Sequence, residues 1–294
     1  MKVYKIGILG TENSHATAFA KLINLPDENG NLRYPDFKVT TVFGDYPEEN
    51  ERIAKECNVP KIAESIEEMV PEVDAVMVCA RDGKHHYRFA KPFIDAKIPL
   101  FLDKPATVDP AEVVDLFRVA KASGAPICGG SSLKHSDDVI TLSNIARANR
   151  RELCGGYIAA PIFMDSPYSG FYFYAAHLVE ICLTVFGRPK AVRASVNNGN
   201  TSVVFEFDTY NVCGMYSGTC YEYACGVIEP KQIHHRPLSL VDLSEKECDD
   251  FVDMVRSGTS KQSYDKQAAS VFVMNAIERA YTTGNSEEVE YICI

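Results

Sequence analysis

Short apolar segments alternate with amphipathic ones over the first 130 residues of the chain. The apolar segments lie at Val3–Leu9, Lys38–Phe43, Ala75–Cys79, Pro99–Leu102 and Pro126–Cys128. Each is bounded by turn-forming or charged residues, which is typical of strands in a parallel sheet that is buried on both faces. Because helical patterns separate them, the sequence predicts a βαβ series and a Rossmann-like, doubly wound parallel sheet.

Two helix starts can be located from local sequence. Ser65 followed by Glu68 forms a capping-box pattern, and Asp109 precedes Pro110, with Glu112 at the third helical position. In a doubly wound sheet, ligands bind outside the carboxyl ends of the strands. The residues between each strand and the next helix are therefore the first candidates for function.

The pattern changes in the second half of the chain. Helical patterns at Ser136–Asn149 and Tyr174–Phe186 precede a long alternating region, Ala191–Leu243, and the tail reads as a helix, Tyr264–Tyr281, with a last strand at Val289–Ile294. This predicts an α+β domain with a mostly antiparallel sheet. We place the domains at residues 1–125 and 126–294, with the C-terminal helix as a candidate to pack back on the first domain.

Composition narrows the classes of partner. The chain has 294 residues, is 46% hydrophobic and carries a formal net charge of −10, so it offers no basic face for nucleic acid or an anionic membrane. No apolar run is long enough to span a bilayer, and the N-terminus enters a strand-like segment instead of a leader pattern. We expect a soluble, cytoplasmic protein whose partner is a small molecule.

Cysteine and histidine spacing predicts neither disulfides nor a metal site. The ten cysteines are scattered, and Cys79, Cys128 and Cys182 lie within apolar runs, so we expect reduced thiols. Adjacent histidines occur at His85–His86 and His234–His235, but neighbouring side chains point apart, and the cysteine spacing matches no zinc module.

The turn after the first strand is where a G-x-G-x-x-G dinucleotide loop belongs, yet only its first glycine, Gly10, is present. Glu12 stands at the second glycine position and His15 at the third. A carboxylate about 4 Å from a phosphate is repelled by roughly 4 kcal/mol at an effective dielectric near 20. Glu12 therefore either turns outward to water or occupies the anion position itself as an internal cap. Asp45, after the second strand, is a candidate for the cofactor ribose or an ordinary turn residue.

Several motifs in register resemble one known family. Phe101-Leu-Asp-Lys-Pro-Ala106 resembles the E-K-P motif of the glucose-fructose oxidoreductase, inositol dehydrogenase and rhizopine catabolism (Gfo/Idh/MocA) family, and His86 matches its histidine before that strand. Ala176-His-Leu-Val-Glu180 resembles the family's G-x-H-x-x-D. Because Phe251–Gly258 and the helix that ends at Gly284 also match, the resemblance covers nearly the whole chain.

The resemblance implies which residues carry chemistry. Lys104 would hold a substrate hydroxyl, and His177 would exchange its proton as hydride moves to or from NAD or NADP, roles that suit both side chains. The implied cofactor-binding positions are Gly10, Glu12, His15, Asp45, His86, Asp103 and Pro105.

One family position departs from the pattern. The family aspartate four residues before the histidine is replaced by Phe173, which cannot relay a proton. Tyr172 or Tyr174 could substitute for it, or Lys104 and His177 could suffice.

Two further residues are candidates for substrate contact. Glu180 lies one helical turn after His177, where it would orient the histidine, bind a sugar hydroxyl or simply pair with a nearby base. Lys134 lies where the chain crosses between the domains.

The sequence thus predicts an NAD(P)-dependent oxidoreductase for a sugar, polyol or related metabolite. The resemblance also implies a homo-oligomer that assembles through the sheet of the second domain. Two alternatives stay open: a small-ligand binding or regulatory protein without redox chemistry, and a lyase or hydrolase with a permanently held cofactor.

Overall fold

The computed structural model describes residues 2–294 and contains two sheets, each covered by helices. The first half of the chain forms a six-stranded parallel sheet in the order β3-β2-β1-β4-β5-β6. Its elements are β1 (Tyr4–Leu9), α1 (Ser14–Asn24), β2 (Phe37–Phe43), α2 (Pro47–Glu56), β3 (Lys61–Ile62), α3 (Ile66–Met69), β4 (Ala75–Val78), α4 (His86–Asp95), β5 (Leu100–Asp103), α5 (Pro110–Ser123) and β6 (Ile127–Gly130).

The second half forms a seven-stranded mixed sheet in the order β12-β11-β7-β10-β9-β8-β13, in which only β7 and β10 run parallel. Its elements are α6 (Asp137–Ala148), β7 (Gly155–Pro161), α7 (Tyr172–Val185), β8 (Ala191–Asn197), β9 (Asn200–Glu206), β10 (Asn211–Ser217), β11 (Ala224–Glu229), β12 (Gln232–Pro237), α8 (Leu243–Ser257), α9 (Tyr264–Thr283) and β13 (Glu287–Glu288).

These two sheets confirm the predicted fold class, a Rossmann-like parallel sheet followed by a mostly antiparallel α+β unit. The sixth strand, Ile127–Gly130, begins two positions after residue 125 and pairs with β5 in the first sheet. From β1, the chain first adds β2 and β3 on one side of the sheet and then β4, β5 and β6 on the other. The topological switch point therefore lies between β1 and β4, and sheets of this kind bind ligands above the carboxyl ends of those two strands.

The prediction was wrong at the C-terminus. The last strand is Glu287–Glu288, which pairs with β8, and Val289–Ile294 is not a strand. The chain leaves the sheet because its end is held elsewhere: the Ile294 backbone N–H donates to Asp265, and Lys121 donates to the Ile294 carbonyl oxygen. Strand β7 was not predicted from the sequence.

No helix within residues 2–294 is both long and apolar enough to cross a membrane.

Candidate functional site

The turn after β1 brings two strand ends together at the switch point. Gly10 has a φ of 83°, and a Cβ on it would lie 2.2 Å from the backbone nitrogen of Ala80, so only glycine fits there. The Glu12 carboxylate crosses from this turn to the next loop, where its Oε1 accepts a 2.8 Å hydrogen bond from the backbone N–H of Arg81. Of the two alternatives for Glu12, the structure shows the inward-turned one, although the carboxylate binds a neighbouring loop and does not cap α1.

The cap of α1 is Asn13. Its Oδ1 accepts a hydrogen bond from the His15 backbone N–H, and its Nδ2 donates to Asp103 at 3.2 Å. The His15 ring also turns to Asp103, with 2.8 Å between Nδ1 and Oδ2. The family's third glycine position is therefore occupied by a side chain that binds the acid preceding Lys104.

Asp103 is a fully buried carboxylate at the end of β5. Burial acts to raise its pKa, but the charge and hydrogen bond of His15, together with Lys104, outweigh burial and hold the pKa below its ordinary value. The same carboxylate raises the pKa of His15 to about 9. We therefore expect an imidazolium–carboxylate pair beneath the cleft at neutral pH.

Lys104 projects from the end of β5 toward the second half of the chain. Its Nζ donates a 3.0 Å hydrogen bond to the carbonyl oxygen of Phe173 and lies 4.6 Å and 5.0 Å from the ring centroids of Phe173 and Tyr174. Burial lowers its pKa below the ordinary lysine value. The peptide bond between Lys104 and Pro105 is cis.

His177 approaches the same place from α7. Its ring centroid lies 5.1 Å from that of Tyr174, so Lys104 and His177 contact one aromatic side chain. Nδ1 lies 2.7 Å from the buried Oγ of Ser131, and Nε2 has no hydrogen-bond partner among the described residues. Burial, followed by the charge of Lys104, lowers the pKa of His177 well below its ordinary value, so the neutral ring prevails at pH 7.

Glu180 and Lys134 lie together below this cluster. They line one small enclosed cavity with Lys104, and the Lys134 ammonium donates to the carbonyl oxygen of Gly129. Burial raises the pKa of Glu180, and Lys134 opposes that shift. Both side chains are at least nine-tenths buried, as is Lys104.

Other candidate residues lie outside this cluster. The Tyr172 hydroxyl donates to Glu278 of α9, and burial raises its pKa. His86 is fully buried, with its ring nitrogens 2.7 Å from the carbonyl oxygens of Pro105 and Ala80, so it braces the loop that carries Lys104. Asp45 is exposed after β2 and pairs with Arg88.

Sequence reasoning missed three of the residues that shape the site: Asn13, Arg81 and Ser131. Their contacts join segments 46 to 90 residues apart, as the bonds of Asn13 to Asp103 and of Ser131 to His177 show. The signal available for all three was their place after a strand of the first sheet, at the edge where ligands of such sheets gather. Within residues 2–294, no three His, Cys, Asp or Glu side chains form a metal-binding group.

The turn keeps part of the geometry of a dinucleotide site, although Glu12 and His15 stand at two of its three glycine positions. Gly10 permits the close approach of two strand ends, α1 begins directly above β1, and Asp45 presents a carboxylate at the end of β2, where a ribose would lie. Fold and site together define an α/β protein whose first half is a Rossmann-like parallel sheet, with a lysine and a histidine that converge from the two halves of the chain.

Comparison with known proteins agrees with this class. Residues 4–130 match the model of the Gfo/Idh/MocA family, described as an oxidoreductase family with an NAD-binding Rossmann fold. Residues 4–130 are therefore similar to that family, and the resemblance predicted from the motifs is confirmed over this range. Among curated proteins, none matches the sequence.

Solved structures are similar over the whole length of the chain. A probable dehydrogenase from Thermotoga maritima superposes with a TM-score of 0.82 at 16% identity, covering 98% of this chain and 100% of that one. A scyllo-inositol dehydrogenase from Lactobacillus casei, solved with NAD(H) and scyllo-inositol, has a TM-score of 0.83 at 14% identity over 98% and 99% of the two chains. A myo-inositol 2-dehydrogenase from Lactobacillus plantarum has the same TM-score at 12% identity over 98% and 100%. At these identities the likeness concerns the fold.

Proposed function

We propose that the chain is an NAD(P)-dependent oxidoreductase that acts on a hydroxyl or carbonyl group of a sugar, polyol or related small metabolite. The observation that carries this proposal is the convergence of Lys104 and His177, from different halves of the chain, on the ring of Tyr174. The inositol bound by the similar Lactobacillus casei enzyme supports the substrate class. A cavity of about 500 Å³, lined in part by Phe163, Tyr168 and Phe173, offers room beside this point.

The two side chains divide the proton chemistry between them. Lys104 presents an ammonium group in a buried setting, where positive charge stabilises a developing alkoxide more strongly than it does in water. His177 is fixed through Nδ1 by Ser131, so Nε2 is free to take a proton from a substrate hydroxyl or return it. A nicotinamide, when bound, would supply the hydride acceptor or donor. Because Phe173 replaces an acid, no carboxylate at that position shares the proton.

The test separates cofactor binding from turnover. NADH and NADPH are titrated while energy transfer from tyrosine to nicotinamide is followed, and saturable binding in the micromolar range is expected. Lys104→Met should lower kcat on a reactive polyol by about 10²-fold or more while the Kd for NADH changes little. Lys55→Met, on the exposed face of α2, is the matched control. Absence of nicotinamide binding at millimolar concentration would contradict the proposal.

A further inference from the structure

Glu12 and Arg81 form a reciprocal pair across the switch point. Oε1 of Glu12 accepts from the Arg81 backbone N–H at 2.8 Å, and Nη2 of Arg81 donates to the Glu12 carbonyl oxygen at 2.6 Å. These two bonds join the turn after β1 to the loop after β4. Because β1 and β4 flank the topological switch point, the pair spans the crevice in which a doubly wound sheet binds its ligand.

The pair also reaches the other half of the chain. Nη1 of Arg81 donates to the Tyr168 hydroxyl at 3.1 Å, and the guanidinium lies 5.1 Å from the centroid of that ring. The ring of Tyr168 is 5.2 Å from the ring of Phe173, which contacts Lys104. Arg81, which binds the turn at Glu12, is thus connected to Lys104 through the rings of Tyr168 and Phe173.

The chemistry of this contact resembles that of a bound anion. The Glu12 carboxylate accepts a hydrogen bond from a strand-end backbone N–H, and the guanidinium of the same residue binds the carbonyl oxygen of the turn, so both donors of Arg81 are aimed at the place where proteins of this architecture hold phosphate oxygens. We propose that Glu12 is an internal competitor of the cofactor pyrophosphate. When a dinucleotide binds, the Glu12 carboxylate is displaced, and Arg81 exchanges Glu12 for the pyrophosphate. Glu12 and Arg81 therefore set the affinity for the dinucleotide, an inference that rests on the proposed function.

The test removes the charge and keeps the hydrogen bond. In Glu12→Gln, the amide oxygen can still accept from the Arg81 N–H, while the repulsion of a phosphate is lost. The Kd for NADH, measured by calorimetry, should fall by about tenfold or more. Glu28→Gln, which removes an exposed carboxylate from the loop after α1, should change the Kd by less than about twofold.

The role of Arg81 is tested in the Glu12→Gln background. Adding Arg81→Met should weaken NADH binding by about tenfold, because the cation is the partner of the pyrophosphate. If Arg81 served only to hold Glu12, this second change would leave the Kd unaltered, and that result would overturn the exchange.

The two proposals fail in distinguishable ways. If wild type binds NADH and Glu12→Gln binds it equally or less tightly, the internal competitor is refuted and the oxidoreductase proposal stands. If neither protein binds NADH or NADPH at millimolar concentration, both proposals fail. Thermal unfolding midpoints of all variants show that each binds or fails to bind as a folded protein.

Discussion

Glu247 is the residue whose surroundings differ most from what its chemistry prefers. It lies on α8, is 1% exposed, and neither carboxylate oxygen has a hydrogen-bond partner within residues 2–294. Burial raises its pKa to about 8, an effect that the charge of His15 opposes and that of Asp103 reinforces. A buried acid of this kind is held in its protonated form at neutral pH.

This burial makes stability depend on pH. The folded protein keeps a proton on Glu247 up to pH 8, whereas the ordinary value of 4.5 means that the unfolded chain releases it earlier. Stability therefore falls as pH rises from about 4.5 to 8, and His15, raised from 6.5 to about 9, adds a loss of the same sign between those two values. In Glu247→Gln, the loss of stability that comes from deprotonation of Glu247 is absent. Relative to wild type, its free energy of unfolding should rise by about 3–4 kcal/mol between pH 5 and pH 8.5.

Urea titrations across this pH range measure the effect. Glu245→Gln, at a partly exposed position in the first turn of the same helix, is the control and should follow wild type throughout. A constant difference between Glu247→Gln and wild type at every pH would contradict the prediction.

At the scale of single residues, the sequence predicted the site residues that belong to motifs and missed those whose role depends on packing. Lys104 and His177 were found because each sits in a local pattern with a fixed spacing. Glu247 lies in a Glu-Lys-Glu run that is typical of a solvated helix face, and the packing of α8 on α1, β6 and residues 132–135 accompanies its burial. Arg81 carries no signal for its contact with Tyr168, because no local rule predicts a bond across 87 residues.

Helix ends show which features of the secondary structure local sequence can predict. Asp109 caps α5 as predicted, with Oδ1 accepting from the Ala111 N–H at 2.7 Å, and Gly124 ends the helix at a φ of 81°. Ser65 accepts from the Glu68 N–H, but the Glu68 carboxylate binds the Glu64 N–H, so the capping box is only half formed. Caps could be predicted because donor and acceptor are neighbours in the chain.

Strand pairing could not be predicted in the same way. Strand β7 opens with Gly155-Gly156, which lowers its intrinsic strand preference, and its edges are satisfied by β10 and β11, more than 50 residues away. The predicted strand at Val289–Ile294 has the right composition, but the chain pairs with β8 only at Glu287–Glu288. The end of the chain is instead held by hydrogen bonds to α5 and α9, which no local pattern reveals.

The cap of α5 gives a prediction for an element. Asp109→Ala removes an acceptor for the first turn of the helix and should lower the free energy of unfolding by about 1 kcal/mol. Asp109→Ser keeps a capping oxygen and should lose only a few tenths of that amount. Urea unfolding followed by circular dichroism compares the two variants, and equal losses would show that the aspartate acts only through its charge on the helix dipole.

Over the whole molecule, the two halves share a core. Helix α8 comes from the second half of the chain, yet Phe251, Val252 and Val255 pack in the cluster that contains Phe19 and Ala20 of α1. Exposed ion pairs join the same surfaces, between Arg33 and Asp249 and between Arg256 and Asp36. Exposed pairs contribute little to stability, so the shared apolar contacts hold the halves together.

A shared core predicts that the two sheets unfold together. Phe251 is fully buried, and Phe251→Ala should lower the free energy of unfolding by about 3–5 kcal/mol.

Pulsed thiol labelling in rising urea reports each half separately, because Cys79 at the end of β4 and Cys225 in β11 are both fully buried. In wild type both thiols should become reactive at one urea concentration, and in Phe251→Ala both midpoints should shift down by the same amount. Phe205→Ala, in β9, should shift the pair equally although it lies in the other sheet. Were the halves independent, Phe251→Ala would expose Cys79 alone and leave the midpoint of Cys225 unchanged, because the lost contacts lie on the first sheet and its helices.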